Sequence, residues 1–194
     1  MARITLAEKE EKKKEIMRTA FDCYCENGLN ETGIKLVARA CNMTAGNLYL
    51  YFDNLDDLIL QSTAFCMSEV ENEFMNLSPK TPEELMRYID EIPHWTAKKH
   101  GAKYRFMYQV YTSPKYLGEG KKFFEGVNKR YCEYAKTLEK LLHLPYNDVQ
   151  AFIFFFVRAC VHYALFEEED YLTAQTEMLK KMLKAMYQYR DFLK

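Results

Sequence analysis

Apolar residues recur every three or four positions along almost the whole chain, the spacing of one helix face. Strand-like alternation is lacking. From Leu6 to Asn27 the apolar positions are Ile16, Ala20, Phe21 and Tyr24. Gly28 is placed to end that helix from the position after its C-cap. Thr32 is expected to cap a short second helix burying Ile34, Val37, Ala38 and Cys41. Asn42 and Met43 make a tight turn. Thr44 caps a third short helix with Leu48, Tyr49 and Phe52. Asn54, with Asp57 three residues on, opens a long fourth helix in the manner of a capping box. Its stripe is Leu58, Ile59, Ser62, Phe65, Cys66 and Val70.

Ser78 and Pro79 break the pattern. Thr81, Pro82 and Glu84 then stand where a helix start prefers a cap, a proline and a carboxylate. Pro93 is expected to kink this helix, and His100 and Gly101 to end it. A short aromatic segment comes next, from Tyr104 to Tyr111, and Ser113–Pro114 breaks it. A long helix from Glu119 to Leu144 buries Val127, Tyr131, Leu138 and Leu142. After Leu144–Pro145, Asn147 is expected to cap a very apolar helix. The acidic run Glu167 to Asp170 leads into a last helix carrying Leu172, Leu179, Met182, Leu183, Met186 and Leu193. The fold class is therefore all-α, with about nine helices in two parts. Residues 1–53 form a three-helix N-terminal domain, and residues 54–194 a helical C-terminal domain.

The penultimate helix is apolar on more than one face. One face covers the core of its own domain, and the second needs another cover. A twofold copy supplies it most simply, pairing the last two helices of each subunit in a four-helix bundle. The stretch Ala151 to Phe166 carries Arg158 and His162 and is shorter than the roughly 18–20 apolar residues that span a bilayer. It reads as a buried helix. The charged opening residues do not resemble a signal peptide, and a cytoplasmic protein with no membrane partner is expected.

Composition adds mainly exclusions. The 7 Gly and 5 Pro among 194 residues disfavour a turn-rich β fold. The 6 Cys show no paired spacing of a zinc site or disulfide framework. Glu91 and His94 give a single E-x-x-H, but a helical di-metal site needs a second copy and two more Glu. No nucleophile–base pair or phosphate-cradling glycine loop is recognisable, so neither an enzyme nor a cofactor is expected. Formal net charge is −1. Residues 1–55 hold eight Lys and Arg against eight Asp and Glu, so charge alone does not predict nucleic acid.

Local arrangement does. Two short helices joined by a tight turn, the second capped by Thr44, make a helix-turn-helix. Ala45, Gly46 and Asn47 are small enough for close approach to a major-groove floor. Tyr49 and Tyr51 offer hydroxyls to phosphates or base edges. The order "ETGIKLVARACNMTAGNLYLYFDNLDDLI" resembles the DNA-binding motif of the TetR family of transcriptional regulators. The resemblance rests on Gly28, Thr32, Val37, Ala38, Thr44, Gly46, Leu48, Tyr49, Phe52 and Leu58, and covers about forty-five residues. It implies a homodimeric regulator, a repressor released by a small-molecule effector, bound to a palindromic site in double-stranded DNA. The DNA-contacting residues would be Thr32, Lys35, Thr44, Ala45, Gly46, Asn47, Tyr49 and Tyr51. The effector pocket would draw on Trp95, Tyr104, Met107, Tyr108, Tyr111 and Tyr131. Ala45 and Leu55 stand where the family usually has cations, Asn42 replaces a turn Gly, and Gly33 a Ser or Thr. Lys35, Arg39 and the run Lys12–Lys14 are the cations left to compensate. The alternative is a helical adaptor that keeps the head without binding DNA.

Overall fold

The computed structural model describes residues 5–77 and 79–192, and these contain eight α-helices and no strand. They are α1 (Leu6–Asn27), α2 (Ile34–Ala40), α3 (Ala45–Leu48), α4 (Leu55–Asn76), α5 (Pro82–Tyr111), α6 (Leu117–Leu142), α7 (Tyr146–Phe166) and α8 (Glu169–Phe192). Ser78 and Leu193 lie outside the described residues.

Local chemistry sets most ends. Thr5 opens α1 in a capping box: its hydroxyl accepts the Glu8 N–H while the Glu8 carboxylate accepts from the Thr5 backbone. Gly28 closes α1 at φ 82°, in the left-handed range open to glycine. Asn54 Oδ1 accepts the Asp57 N–H at 2.9 Å, and Asp57 in turn takes the Asp53 N–H at 3.0 Å. Thr81 and Glu84 repeat this arrangement at α5, Glu84 taking the Lys80 N–H.

Three expectations are corrected. Gly33, not Thr32, is the N-cap of α2, because Thr32 turns inward and is only 2% exposed. Pro145, not Asn147, stands before α7, which therefore starts earlier and spans 21 residues. The break at His100–Gly101 is absent, and the described residues hold eight helices, close to the nine expected. Helix α5 runs unbroken through both Pro93 and Gly101. A buried stripe of Ile92, Thr96, His100, Tyr104, Met107 and Tyr111 lines one face of it. Burying such a stripe outweighs the roughly 3 kcal/mol and 1 kcal/mol that an interior proline and glycine cost.

The chain divides into two compact units, residues 1–73 with 105–120, and residues 74–104 with 121–194. The expected N-terminal domain, 1–53, lies wholly in the first. In that unit Phe106 stacks on Tyr24 with ring centroids 5.3 Å apart and meets Phe21 edge-on at 5.5 Å. Ile16, Val37, Leu48, Leu58 and Met67 are buried with them. The second unit has its own core, including Leu85, Ile89, Leu138, Phe152, Phe156 and Leu179. By length and apolar composition α7 could cross a membrane. Its Val149, Phe152, Ile153, Phe156, Ala159 and Cys160 instead belong to this core.

Among the glycines of the first unit, Gly120 is the most closely hemmed in. A Cβ there would run into the Tyr111 carbonyl oxygen, whereas Gly118 has nothing within 4 Å. Overpacking of this kind costs about 1–3 kcal/mol. Gly120→Ala is therefore expected to lower the melting temperature by several degrees in a circular-dichroism melt. Gly118→Ala should leave it unchanged or raise it, since alanine favours the helix.

Candidate nucleic-acid interface

The first three helices form a helix-turn-helix head. Within it, α2 ends when the Cys41 N–H reaches the Val37 carbonyl at 2.9 Å. Asn42 then takes a left-handed conformation, φ 52°, and the Met43 N–H bonds to the Ala38 carbonyl at 2.8 Å. Asparagine tolerates that geometry better than most residues, which explains how it replaces a glycine there. Thr44 caps α3, its hydroxyl accepting the Asn47 N–H at 3.2 Å. The helix proper is four residues long and continues into turns through Tyr51.

The head separates inside from outside sharply. Leu48 and Phe52 are buried, while Tyr49 and Leu50 are 49% and 67% exposed. Thr44, Gly46, Asn47 and Lys35 are also exposed, and Ala45 and Tyr51 are half-buried. Seven of the eight expected DNA-contacting residues thus keep some surface. Thr32 is the one held in the interior.

Contacts within the first unit hold the head in place. Arg18 of α1 donates to Glu69 of α4 at 2.6 Å and lies over the Phe65 ring. Asp56, in the first turn of α4, accepts from Lys115 at 2.6 Å and from the Tyr116 hydroxyl at 2.7 Å. Those two hydrogen bonds hold the Asp56 carboxyl below its ordinary range, Lys115 contributing most. On α1, Lys12 pairs with Glu15 at 2.8 Å and Lys14 with Glu11 at 2.7 Å. Lys9 and Lys13 lie instead over the rings of Tyr51 and Phe52, at 5.9 and 5.3 Å from their centroids.

The expected effector residues are distributed over both compact units. Met107, Tyr108 and Tyr111 belong to the first, and Trp95, Tyr104 and Tyr131 to the second. Tyr104, Met107, Tyr111 and Tyr131 are buried. Trp95 meets His100 edge-on at 5.1 Å, with the Lys99 ammonium over its ring. Tyr131 meets Phe74 at 6.1 Å. The second unit also contains a narrow apolar cleft with room for only about 20 Å³, lined by Phe74, Leu85, Tyr88, Ile92, Tyr134 and Phe152, among others, and by none of the six. Glu91 and His94 do not act together: Glu91 faces Arg87 at 3.6 Å, and His94 faces Glu169 at 3.6 Å and the Tyr163 ring.

An all-helical chain whose N-terminal head exposes the outer side of a capped second helix is a helix-turn-helix protein. Residues 16–61 match the family described as bacterial regulatory proteins, tetR family. That match covers α1 from Ile16 through the start of α4. A Bacillus subtilis relative, the uncharacterized HTH-type transcriptional regulator YuxN, is 27% identical over 82 residues, 42% of this chain and 28% of that protein. The match thus spans under a third of the relative's length. A putative TetR-family regulator from Mesorhizobium loti superposes with a TM-score of 0.69 at 13% identity, covering 93% of this chain and 97% of that one. The regulator FadR from Bacillus subtilis, solved with stearoyl-CoA, gives 0.53 at 15%, covering 87% and 96%. These two likenesses establish the fold.

The Asp56 contact makes a pH prediction. A carboxyl whose folded pKa is depressed adds stability above the ordinary carboxylate range and loses it as pH falls through the folded value. In urea titrations between pH 7 and pH 2, Asp56→Asn is expected to weaken the protein at neutral pH and flatten its acid limb. An unchanged acid limb would show that the Lys115 and Tyr116 contacts do not carry the shift.

Proposed function

We propose that the protein is a homodimeric, sequence-specific DNA-binding transcriptional regulator, a repressor released by a small-molecule effector. One observation carries this reading. The outer side of α3 presents Thr44, Gly46, Asn47 and Tyr49 to solvent, while Leu48 and Phe52 fix the helix from within. Small residues at the start of a recognition helix allow close approach to base edges, and Tyr49 supplies a hydroxyl beside them. Lys35, Thr44 and Tyr51 contact phosphates. Asn47 and Tyr49 read the groove, and Ala45 and Gly46 give clearance. Thr32 is left out, because a buried hydroxyl does not reach DNA.

Dimerisation is supported by the outer side of the last two helices. Phe155 and Phe166 of α7 are 59% and 61% exposed, and Tyr171, Met178 and Tyr189 of α8 are at least half exposed. Large aromatics exposed together on neighbouring helices mark an interface. Two heads related by a twofold axis then read a palindrome with half-sites about one helical turn apart. The effector reading is supported by the aromatic set from Trp95 to Tyr131 and by the likeness to FadR, which was solved with stearoyl-CoA. An effector must bind the DNA-competent and released states with different affinities to act.

The charge balance of the head favours a second reading, an adaptor that keeps the head but does not bind DNA. Selection from a random DNA pool separates the two. A regulator enriches a palindrome and binds it less tightly as salt rises. Tyr49→Ala should weaken that binding by at least about tenfold, one good contact's worth, without changing the dimer. A folded dimer that enriches nothing at low salt is the adaptor. The dimer has its own check: Phe155→Arg should sediment as a monomer at micromolar concentration with helical content retained.

A further inference from the structure

We propose that Lys9 and Lys13 of α1 are phosphate-contacting residues, making the N-terminal half of α1 part of the nucleic-acid surface beside α3. The proposal rests on the DNA-binding reading above and adds an element that neither the helix-turn-helix pattern nor the match over residues 16–61 includes.

A lysine-rich stretch among glutamates is ordinarily a solvated helix face, laced by pairs three or four residues apart. Lys12 and Lys14 fit that description, each held by its own glutamate. Lys9 and Lys13 do not. On a helix of 3.6 residues per turn, Lys9 and Lys13 share the face of Ile16, Ala20 and Tyr24. Those three are buried core residues. The core-facing stripe of α1 therefore ends, toward the N-terminus, in two lysines instead of apolar side chains.

Their neighbours explain what they can do. The Lys9 ammonium stands 5.9 Å from the Tyr51 ring and the Lys13 ammonium 5.3 Å from Phe52, the two residues that close the recognition segment. An aromatic face attracts a cation without neutralising it and leaves its other donors free. Three neighbouring acids of α1 are engaged elsewhere. Glu8 is turned back onto Thr5, at 2.7 Å from its N–H and 2.8 Å from its hydroxyl. Glu11 is held by Lys14 and Glu15 by Lys12. Glu10 is exposed on the solvent side. Two positive charges thus stand beside the residues that follow α3, in a head whose charges sum to zero only with these two included. A duplex whose major groove admits α3 carries phosphates along that groove's rim, and a pair of ammonium groups fixed at the helix edge is complementary to them.

The experiment measures affinity for the selected palindrome across a salt series. Each phosphate contact contributes about 0.9 to the slope of log K against log salt. Lys9→Gln and Lys13→Gln should each flatten the slope by about 0.9, and the double variant by about 1.8. Lys9→Arg and Lys13→Arg should keep it, and Lys14→Gln should not change it. If the two lysines only brace α1 against Tyr51 and Phe52, the double variant melts earlier and binds with the wild-type slope; that result overturns the proposal and leaves the regulator reading intact. A wild-type protein that binds no DNA overturns both.

Discussion

Phe106 lies flat against Tyr24 and edge-on to Phe21, so the end of α5 and the buried stripe of α1 form one packed body. An aromatic contact of this kind adds about 0.5–1.5 kcal/mol beyond the area it buries. The contact organises more than that energy suggests. Helices α2 and α3 are seven and four residues long, too short to persist alone. They hold their shape because Val37, Ala38, Leu48 and Phe52 bury themselves in the same unit. The outward side of α3 is therefore defined by what its inward side must reach, and Arg18–Glu69 and Asp56–Lys115 secure the ends of that unit from the surface.

The parts of the fold that were legible in the sequence are those fixed by nearest neighbours along the chain. Gly28, Thr44, Asn54 and Thr81 mark ends because a cap is a contact over three or four residues, and the predicted bounds of α1 were met at both ends. What misled was chemistry that two environments can use. Thr32 reads as a cap by type, but its place beside the core draws it inward and leaves Gly33 at the boundary. Gly101 reads as a helix end, yet burial of the α5 stripe carries the helix through it. Composition cannot reveal which effect wins, because the competing stripe comes together only in three dimensions.

The site divides along similar lines. The exposed residues of α3 were recognisable because the motif alternates anchors with small or polar positions, and both kinds keep that division. The placing of Lys9 and Lys13 was not, since their sequence neighbours are glutamates and their spatial neighbours, Tyr51 and Phe52, are some forty residues away. The aromatic set from Trp95 to Tyr131 shows the reverse problem: residues grouped by type belong to two different compact units.

Gly120 bears on how this protein can diverge. The space where its side chain would stand is already occupied by the Tyr111 backbone, so the contact is made by two main chains. Side chains elsewhere in the core can trade volume with their neighbours over evolutionary time, one shrinking as another grows. A main-chain atom has no smaller version. A descendant with a larger residue at this position would have to shift the main chain between α5 and α6 to make room.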